Sequence, residues 1–236
     1  MAALEDTMWW YRGLHAALIA RLDRLALSPG ARILDAGCGT GGLLRNIGRV
    51  MPQFERIGVE YDSEAAAIAV AKSGTAVLNG NVNDLPFPIA SFDVILSADV
   101  LCQEGVEESA SLQEFLRCLK PGGSLLLSVP AYPWMRSKHD EHVHSIRRYT
   151  ASGLRRLAEE VGFRVRRVGY WNSLLFPLMA LHRMTFGRSR SESDVQAFPE
   201  AIDRVFYKAT VLERWMEQRG VDLPFGGSVW IWATKP

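Results

Sequence analysis

Short apolar runs alternate with longer amphipathic stretches along most of this chain. Residues 31–36, 56–61, 76–80, 92–99 and 124–130 are compact runs rich in Val, Ile, Leu, Ala and Phe. Each is short and punctuated by Gly, Pro, Asn or Asp, which predicts strands covered on both faces. Between them apolar residues recur at helical spacing. Residues 8–27 predict a helix stopped by "SPG", and a second runs from Gly41 or Gly42 to about Met51, stopped by Pro52. A third begins at Ser63 and ends near Gly74. Ser111 and Glu114 predict a capping box for a fourth, ended by "KPGG", and residues 150–161 predict a fifth. "FRVRRVGYW" and "SVWIWAT" complete the strands. Strands alternating with helices predict an α/β fold with a largely parallel sheet covered on both faces.

One interval breaks the rhythm. The last two strands lie roughly fifty residues apart, separated by "NSLLFPLMALHRM" and "EAIDRVFYKATVLERWMEQRG". Ile202, Val205, Phe206, Ala209, Leu212 and Met216 share one helical face in the second. Pro177 should kink or delay the first. "GRSRSESD", residues 187–194, predicts a polar, mobile loop. These features predict two helices over the mouth of the sheet. Residues 1–236 then read as a single domain, with a cap helix at 1–28 and a helical lid at 172–223.

Composition narrows the class. The chain has 236 residues, 48% hydrophobic and 22% charged, with net charge +1. Such a balance gives no field toward nucleic acid or anionic membrane, so no nucleic-acid partner is expected, and the Arg residues between 147 and 167 read as a solvated face. The most apolar later stretch is too short for stable membrane insertion. The 3 cysteines, Cys38, Cys102 and Cys118, have no paired spacing. Together with the acidic N-terminus, this predicts a cytoplasmic protein, monomer or homodimer.

Ligands in open parallel sheets bind past the carboxyl ends of the strands. There the chain reads "ILDAGCGTGG", residues 33–42, and Gly37, Gly39 and Gly42 satisfy G-x-G-x-x-G. The pattern alone leaves open a dinucleotide, another adenosine cofactor, or an unliganded turn. Asp35 weighs on the choice: a carboxylate at the strand end repels a pyrophosphate and attracts a cationic amine. S-adenosylmethionine carries an ammonium and a sulfonium and no phosphate.

"ILDAGCGTGG", "GVEYD", "GNVNDLPFPIASFDVI" and "LKPGGSLLLSVP", taken in order, resemble the class I S-adenosylmethionine-dependent methyltransferases. "MWWYRG", "YWNSLLFP" and "LPFGGS" are similar to a bacterial subgroup acting on small molecules and sugar-pathway intermediates. The resemblance implies a Rossmann-like seven-stranded sheet with an antiparallel last strand. It implies that Asp35, Gly37, Cys38 and Gly39 border the methionine part of the cofactor. Glu60 would take the ribose hydroxyls, Tyr61 would pack on the adenine, and Asn81 and Val82 would meet its polar edge. Asp99 would lie near the sulfonium. Trp10, Tyr11 and Arg12 are candidates to close the site, Arg12 by pairing with the cofactor carboxylate or with Glu5 or Asp6.

The acceptor side is expected in "PAYPWMRSKHDEHVHSIRRYT", residues 130–150. His139 and Asp140 are the candidate catalytic acid–base pair; Tyr132, Trp134, His139, His142, Tyr170 and Asn172 are the candidate substrate residues. Asp140, His142 and His144 could ligate a metal, but their alternation is not a specific ligand spacing, and no metal is expected. The expected activity is methyl transfer to a small-molecule substrate. The alternative is an enzyme that cyclises or cleaves the cofactor, releasing methylthioadenosine and a cyclic amino acid. A non-catalytic scaffold is disfavoured by the intact Asp35, Gly37, Gly39 and Glu60.

Overall fold

The computed structural model describes residues 5–185 and 198–236, except for the side chains of His139 and Thr185. Seven strands appear: β1 (Arg32–Ala36), β2 (Glu55–Glu60), β3 (Ala76–Asn79), β4 (Phe92–Ala98), β5 (Leu119–Pro130), β6 (Arg164–Trp171) and β7 (Ser228–Thr234). They form one sheet in the order β3-β2-β1-β4-β5-β7-β6. β1 to β5 pair in parallel, whereas β7 runs antiparallel between β5 and β6. The order reverses between β1 and β4, and a crevice opens there at the carboxyl edge. Leu34, Ile95, Leu125 and Leu127 are buried on one face; Ile33, Val94, Leu96 and Leu126 are buried on the other. Successive side chains point to opposite faces, so a strand covered on both sides reads as an unbroken apolar run.

The helices are α1 (Trp9–Asp23), α2 (Gly42–Val50), α3 (Ser63–Ser73), α4 (Glu108–Cys118), α5 (Lys138–His142), α6 (Ala151–Val161), α7 (Phe176–Thr185) and α8 (Glu200–Gln218). Asp62 caps α3 by accepting from the Glu64 and Ala65 N–H groups at 2.8 and 3.2 Å. Thr150 caps α6 by accepting from Gly153 N–H at 3.1 Å. The predicted polar loop at 187–194 lies outside the described residues.

Two expectations are corrected. Ser111 does not cap α4: it sits inside the helix, buried, and donates to Asn83 Oδ1 at 2.7 Å. Glu114 accepts from Leu85 N–H at 2.8 Å, so the pair ties α4 to the loop before β4. α4 ends at Cys118, directly before "KPGG" as expected, and "KPGG" itself lies within β5, whose pairing with β4 jumps from Phe92↔Leu119 to Val94↔Ser124. A Pro-Gly-Gly turn signal is here met by a bulge. Pro177 is the second residue of α7, where its missing N–H interrupts no helical bond.

The largest departure is α8. Its predicted apolar face turns largely to solvent: Val205 is 62% and Leu212 50% exposed, while Thr210, Glu213 and Glu217 are buried. The reason lies on α1, which presents cations to it. Arg21 donates Nε and Nη2 to the two Glu217 oxygens at 3.0 and 2.9 Å and stacks over Trp230. Arg24 reaches the Glu217 carbonyl at 3.2 Å. Asp203 accepts from Trp9 N–H at 2.7 Å and pairs with Arg12 at 3.6 Å. Glu213 accepts from Ser173 N–H at 2.8 Å. A bidentate buried ion pair fixes the rotation of α8 more firmly than its apolar stripe can.

Removing one partner of such a pair strands the other charge. Glu217→Ala should lower the stability of the protein by about 3–5 kcal/mol, read as a drop in the urea midpoint at an unchanged m value.

Candidate cofactor and acceptor site

β1 runs directly into the glycine loop. Gly37 has φ +78°, and a Cβ there would come within 2.3 Å of Val100 Cγ2. Only glycine turns the chain this tightly against that neighbour. The Gly37 and Cys38 N–H groups both donate to the Val59 carbonyl, at 2.9 and 3.0 Å. Gly39 N–H donates to Glu60 Oε2 at 2.8 Å, and Glu60 Oε1 accepts from Asp62 N–H at 3.1 Å. Glu60, ending β2, thus braces both the loop and the turn into α3. Asn79 at the end of β3 donates to the Glu60 and Tyr61 carbonyls at 3.1 and 2.8 Å. It fixes this corner, and nothing in its sequence context singled it out.

Asp35 sets the electrostatics. Its side chain is buried at the end of β1, and Oδ2 has no hydrogen-bond partner. Burial, then the charges of Glu5 and Glu60, push its carboxyl up to about 8. A buried carboxylate without a donor is costly. Here the nearby charges of Glu5 and Glu60 are also negative, and Asp35 itself has no cationic partner among the described residues. An ammonium group with N–H donors is what this arrangement fits, and a phosphate is what it repels.

On the adenine side, Val82 is buried and its N–H makes no hydrogen bond among the described residues. Asn81 Oδ1 accepts from Asn83 N–H at 2.9 Å, which leaves its second lone pair. The Tyr61 ring is 77% exposed beside Glu60. Trp10 packs edge-on against Trp171 and Tyr11, with centroids 6.2 and 5.0 Å away.

The carboxyl edge carries a second set of features. Asp99, Tyr132 and Asn172 follow β4, β5 and β6, and all three have left-handed backbones, with φ +56°, +59° and +61°. Strain of this kind in non-glycine residues concentrates at functional sites. Burial pushes the Asp99 carboxyl up to about 7 against the pull of Arg148. Tyr11 is pushed up to about 12 by burial, Asp99 and Glu5. Tyr132 stacks on Tyr170 at 5.3 Å and 14° and on Trp134 at 5.8 Å and 29°. Phe176 meets Tyr132 at 5.3 Å and Phe225 at 5.9 Å. Asn172 is buried, with Oδ1 unpartnered. The sequence reading brought Tyr132, Trp134, Tyr170 and Asn172 to this corner. It missed Phe176 and Phe225, whose only signal was apolar character near "NSLLFP" and "LPFGGS".

Of the two candidate catalytic residues, only Asp140 has its side chain among the described ones. Asp140 is buried between two guanidiniums, Arg148 Nη2 at 2.7 Å and Arg183 Nη1 at 3.4 Å. Burial alone would raise its carboxyl, but these cations hold it below the ordinary range. It ties the 130–150 loop to α7 and is a poor base. The His139 side chain lies outside the described residues. His142 is exposed, and its Nδ1 contacts the Lys138 carbonyl at 2.8 Å, one helical turn back. Arg12 pairs with Asp203 and stacks on Tyr207 at 3.9 Å, because α8 covers it, and does not pair with Glu5 or Asp6. No group of His, Cys, Asp and Glu among the described residues could hold a metal ion.

A family model described as "Methyltransferase domain" matches residues 10–168, more than half of the chain. The chain belongs to the methyltransferase-domain family. Its sheet, with the antiparallel β7 between β5 and β6, is that of the class I S-adenosylmethionine-dependent methyltransferases. A 24-methylenesterol C-methyltransferase 2 of Oryza sativa subsp. japonica is 34% identical over 165 residues, 61% of this chain and 44% of that protein. A malonyl-[acyl-carrier protein] O-methyltransferase of Herminiimonas arsenicoxydans is 35% identical over 128 residues, 54% of this chain and 47% of that protein. The methyltransferase domain described here thus spans less than half of either relative. A methyltransferase solved in complex with the Haloferax volcanii Trm112 activator superimposes with TM-score 0.66 at 22% identity. That match covers 100% of this chain and 93% of the other, and it shows the fold alone. Among the described residues no helix is long and apolar enough to cross a membrane.

Because Asp35 binds its proton more tightly in the folded than in the unfolded chain, its contribution to stability is whole below about pH 4. It is lost as pH rises toward and through about 8. Asp35→Asn should therefore match the wild type near pH 4 in urea unfolding and exceed it increasingly up to pH 8, while losing affinity for the cofactor.

Proposed function

We propose that this methyltransferase domain transfers a methyl group from S-adenosylmethionine to a small-molecule acceptor with an aromatic or apolar body. The observation that carries the reading is the unpartnered Asp35 Oδ2 in the glycine loop, on the same carboxyl edge as the aromatic corner. When bound, the cofactor supplies an electrophilic methyl group open to in-line displacement. Asp35 would hold its ammonium, Glu60 its ribose hydroxyls, Asn81 and Val82 the adenine edge, and Tyr61 the adenine face. Gly37, Cys38 and Gly39 provide close backbone approach.

The remaining work is positioning and exclusion of water. Tyr132, Trp134, Tyr170, Phe176 and Phe225 offer ring faces to the acceptor, and the Asn172 Oδ1 lone pairs would take a donor from it. Asp99, with its carboxyl near neutrality, suits a proton acceptor for a hydroxyl or ammonium on the acceptor. Residues 5–28 would cap the cofactor end, with α8 packed against them. Residues 172–184, including most of α7, would cover the acceptor end, where Arg183 of α7 reaches the Met135 carbonyl. A small-molecule acceptor is favoured over RNA because Arg147, Arg148 and Arg167 of the 147–167 run are held by partners within the chain. Arg147 caps the Leu101 and Val106 carbonyls at 3.0 and 2.8 Å, and Arg167 pairs with Asp222.

Incubation with S-adenosylmethionine and the dialysable fraction of a cell extract should yield S-adenosylhomocysteine. Product with total tRNA instead would overturn the acceptor class, and methylthioadenosine from the cofactor alone would overturn methyl transfer. Glu60→Ala should weaken binding of S-adenosylhomocysteine about tenfold or more in calorimetry, as expected for loss of hydrogen bonds to a charged group.

A further inference from the structure

The third glycine of the G-x-G-x-x-G pattern, Gly42, has a use that the pattern does not foresee. At Gly42, the first residue of α2, an added Cβ would lie 2.4 Å from the Glu5 carboxyl carbon. The side chain is absent there to admit a carboxylate of the chain itself. Glu5 Oε1 accepts from Gly42 N–H at 3.0 Å, and Oε2 accepts from the Thr40 hydroxyl and from Lys72 Nζ, the latter at 2.6 Å. The next residue repeats the grip: Asp6 pairs with Arg45 at 2.9 Å and Lys72 at 3.2 Å. Helix N-termini attract anions, and a carboxylate fixed here occupies the place where a pyrophosphate would dock.

The groups around Glu5 come from five elements, α1, α2, α3, β1 and β2. His15 Nε2 of α1 lies 4.0 Å away, but burial pushes that imidazole down to about 4, so it stays neutral around pH 7. Lys72 of α3 is therefore the direct cationic partner. Asp6 and Arg45 pair with each other. On the other side stand the negative charges of Asp35 and Glu60, and Glu5 contributes to the raised carboxyl of Asp35. Four residues on, α1 begins and carries Trp10 and Tyr11, the latter within electrostatic reach of both Glu5 and Asp99.

We propose that Glu5 is a positioning residue for cofactor binding, a latch that seats the N-terminal segment in the anion cradle of Thr40, Gly42 and Lys72. The latch completes the cofactor pocket, closes the loop to phosphate-bearing nucleotides and fixes the start of α1, which carries Trp10 and Tyr11. The inference rests on S-adenosylmethionine as the cofactor. A seated latch orders residues 5–12 and adds a second negative charge beside Asp35, so the cofactor's ammonium gains by relieving that repulsion.

The test uses the full chain, S-adenosylhomocysteine as the probe in calorimetry from pH 6 to 9, and hydrogen exchange of residues 5–15 without ligand. Wild-type binding should rise with pH as Asp35 ionises. Glu5→Gln should weaken binding about tenfold at pH 9, for loss of hydrogen bonds to a charged group. It should also shift the midpoint of the pH dependence downward, because one charge next to Asp35 is gone. Glu5→Asp keeps the charge but is too short to span the cradle, so it should weaken binding without moving the midpoint. Both variants should exchange faster across residues 5–12 with an unchanged thermal midpoint. Unaltered affinity and exchange in Glu5→Gln would overturn the latch, as would weakening with no shift of the midpoint. If the wild type fails to bind the probe while the variants still exchange faster, the cofactor reading fails and the latch as a mechanical contact stands.

Discussion

A carboxylate buried beside two other acids is the constraint around which this molecule is arranged. Asp35 ends the central strand β1, has one oxygen without a donor and lies near Glu5 and Glu60. Left alone, the cluster opposes folding at neutral pH. The fold tolerates it because β1 is locked between β2 and β4 and because the loop's own N–H groups are committed elsewhere, to Val59, Cys38, Glu60 and Glu5. What remains at the strand end is the Asp35 carboxyl, which has no cationic partner among the described residues, while Lys72 pairs with Glu5. A positively charged ligand would relieve the repulsion between these acids and a phosphate would add to it.

The surroundings carry this site in two directions. Toward the cofactor end, acids on the N-terminal segment reach across to α2 and α3, while cations on α1 hold α8 by its polar face. Asp203, Glu213 and Glu217 are drawn inward, and the apolar side chains of α8 turn outward. Toward the acceptor end, the left-handed residues that follow β4, β5 and β6 aim their side chains differently from a regular strand exit. One of them, Tyr132, is pinned by its N–H to the Tyr149 carbonyl at 2.8 Å. The Asp140–Arg148–Arg183 network sits behind that corner and links the long loop to α7. Arg148 also reaches the Ala131 carbonyl at 3.0 Å and Arg183 the Met135 carbonyl, so the network braces the segment that carries Tyr132 and Trp134 from both sides.

The sequence by itself determined the strands, their order along the chain, and the chemistry of the loop. Buried parallel strands must be apolar on both faces, and a backbone that turns at Gly37 must lack a side chain; both requirements are written locally. Asp35 and Glu60 were legible for the same reason, since each ends a strand that the apolar pattern had already delimited. Only the tertiary structure decided the rest. Whether Ser111 caps a helix or tethers a loop depends on Asn83, twenty-eight residues away. Whether α8 buries its apolar stripe depends on arginines nearly two hundred residues earlier. Asp140 resembled a base until Arg148 and Arg183 were brought against it, and Glu5 resembled a surface acid until Gly42 made room for it. Hydrophobic periodicity is a property of neighbours in sequence. The partner of a charge is set by what the fold brings within a few ångströms, and charged partners override the weaker preference of a half-exposed apolar face.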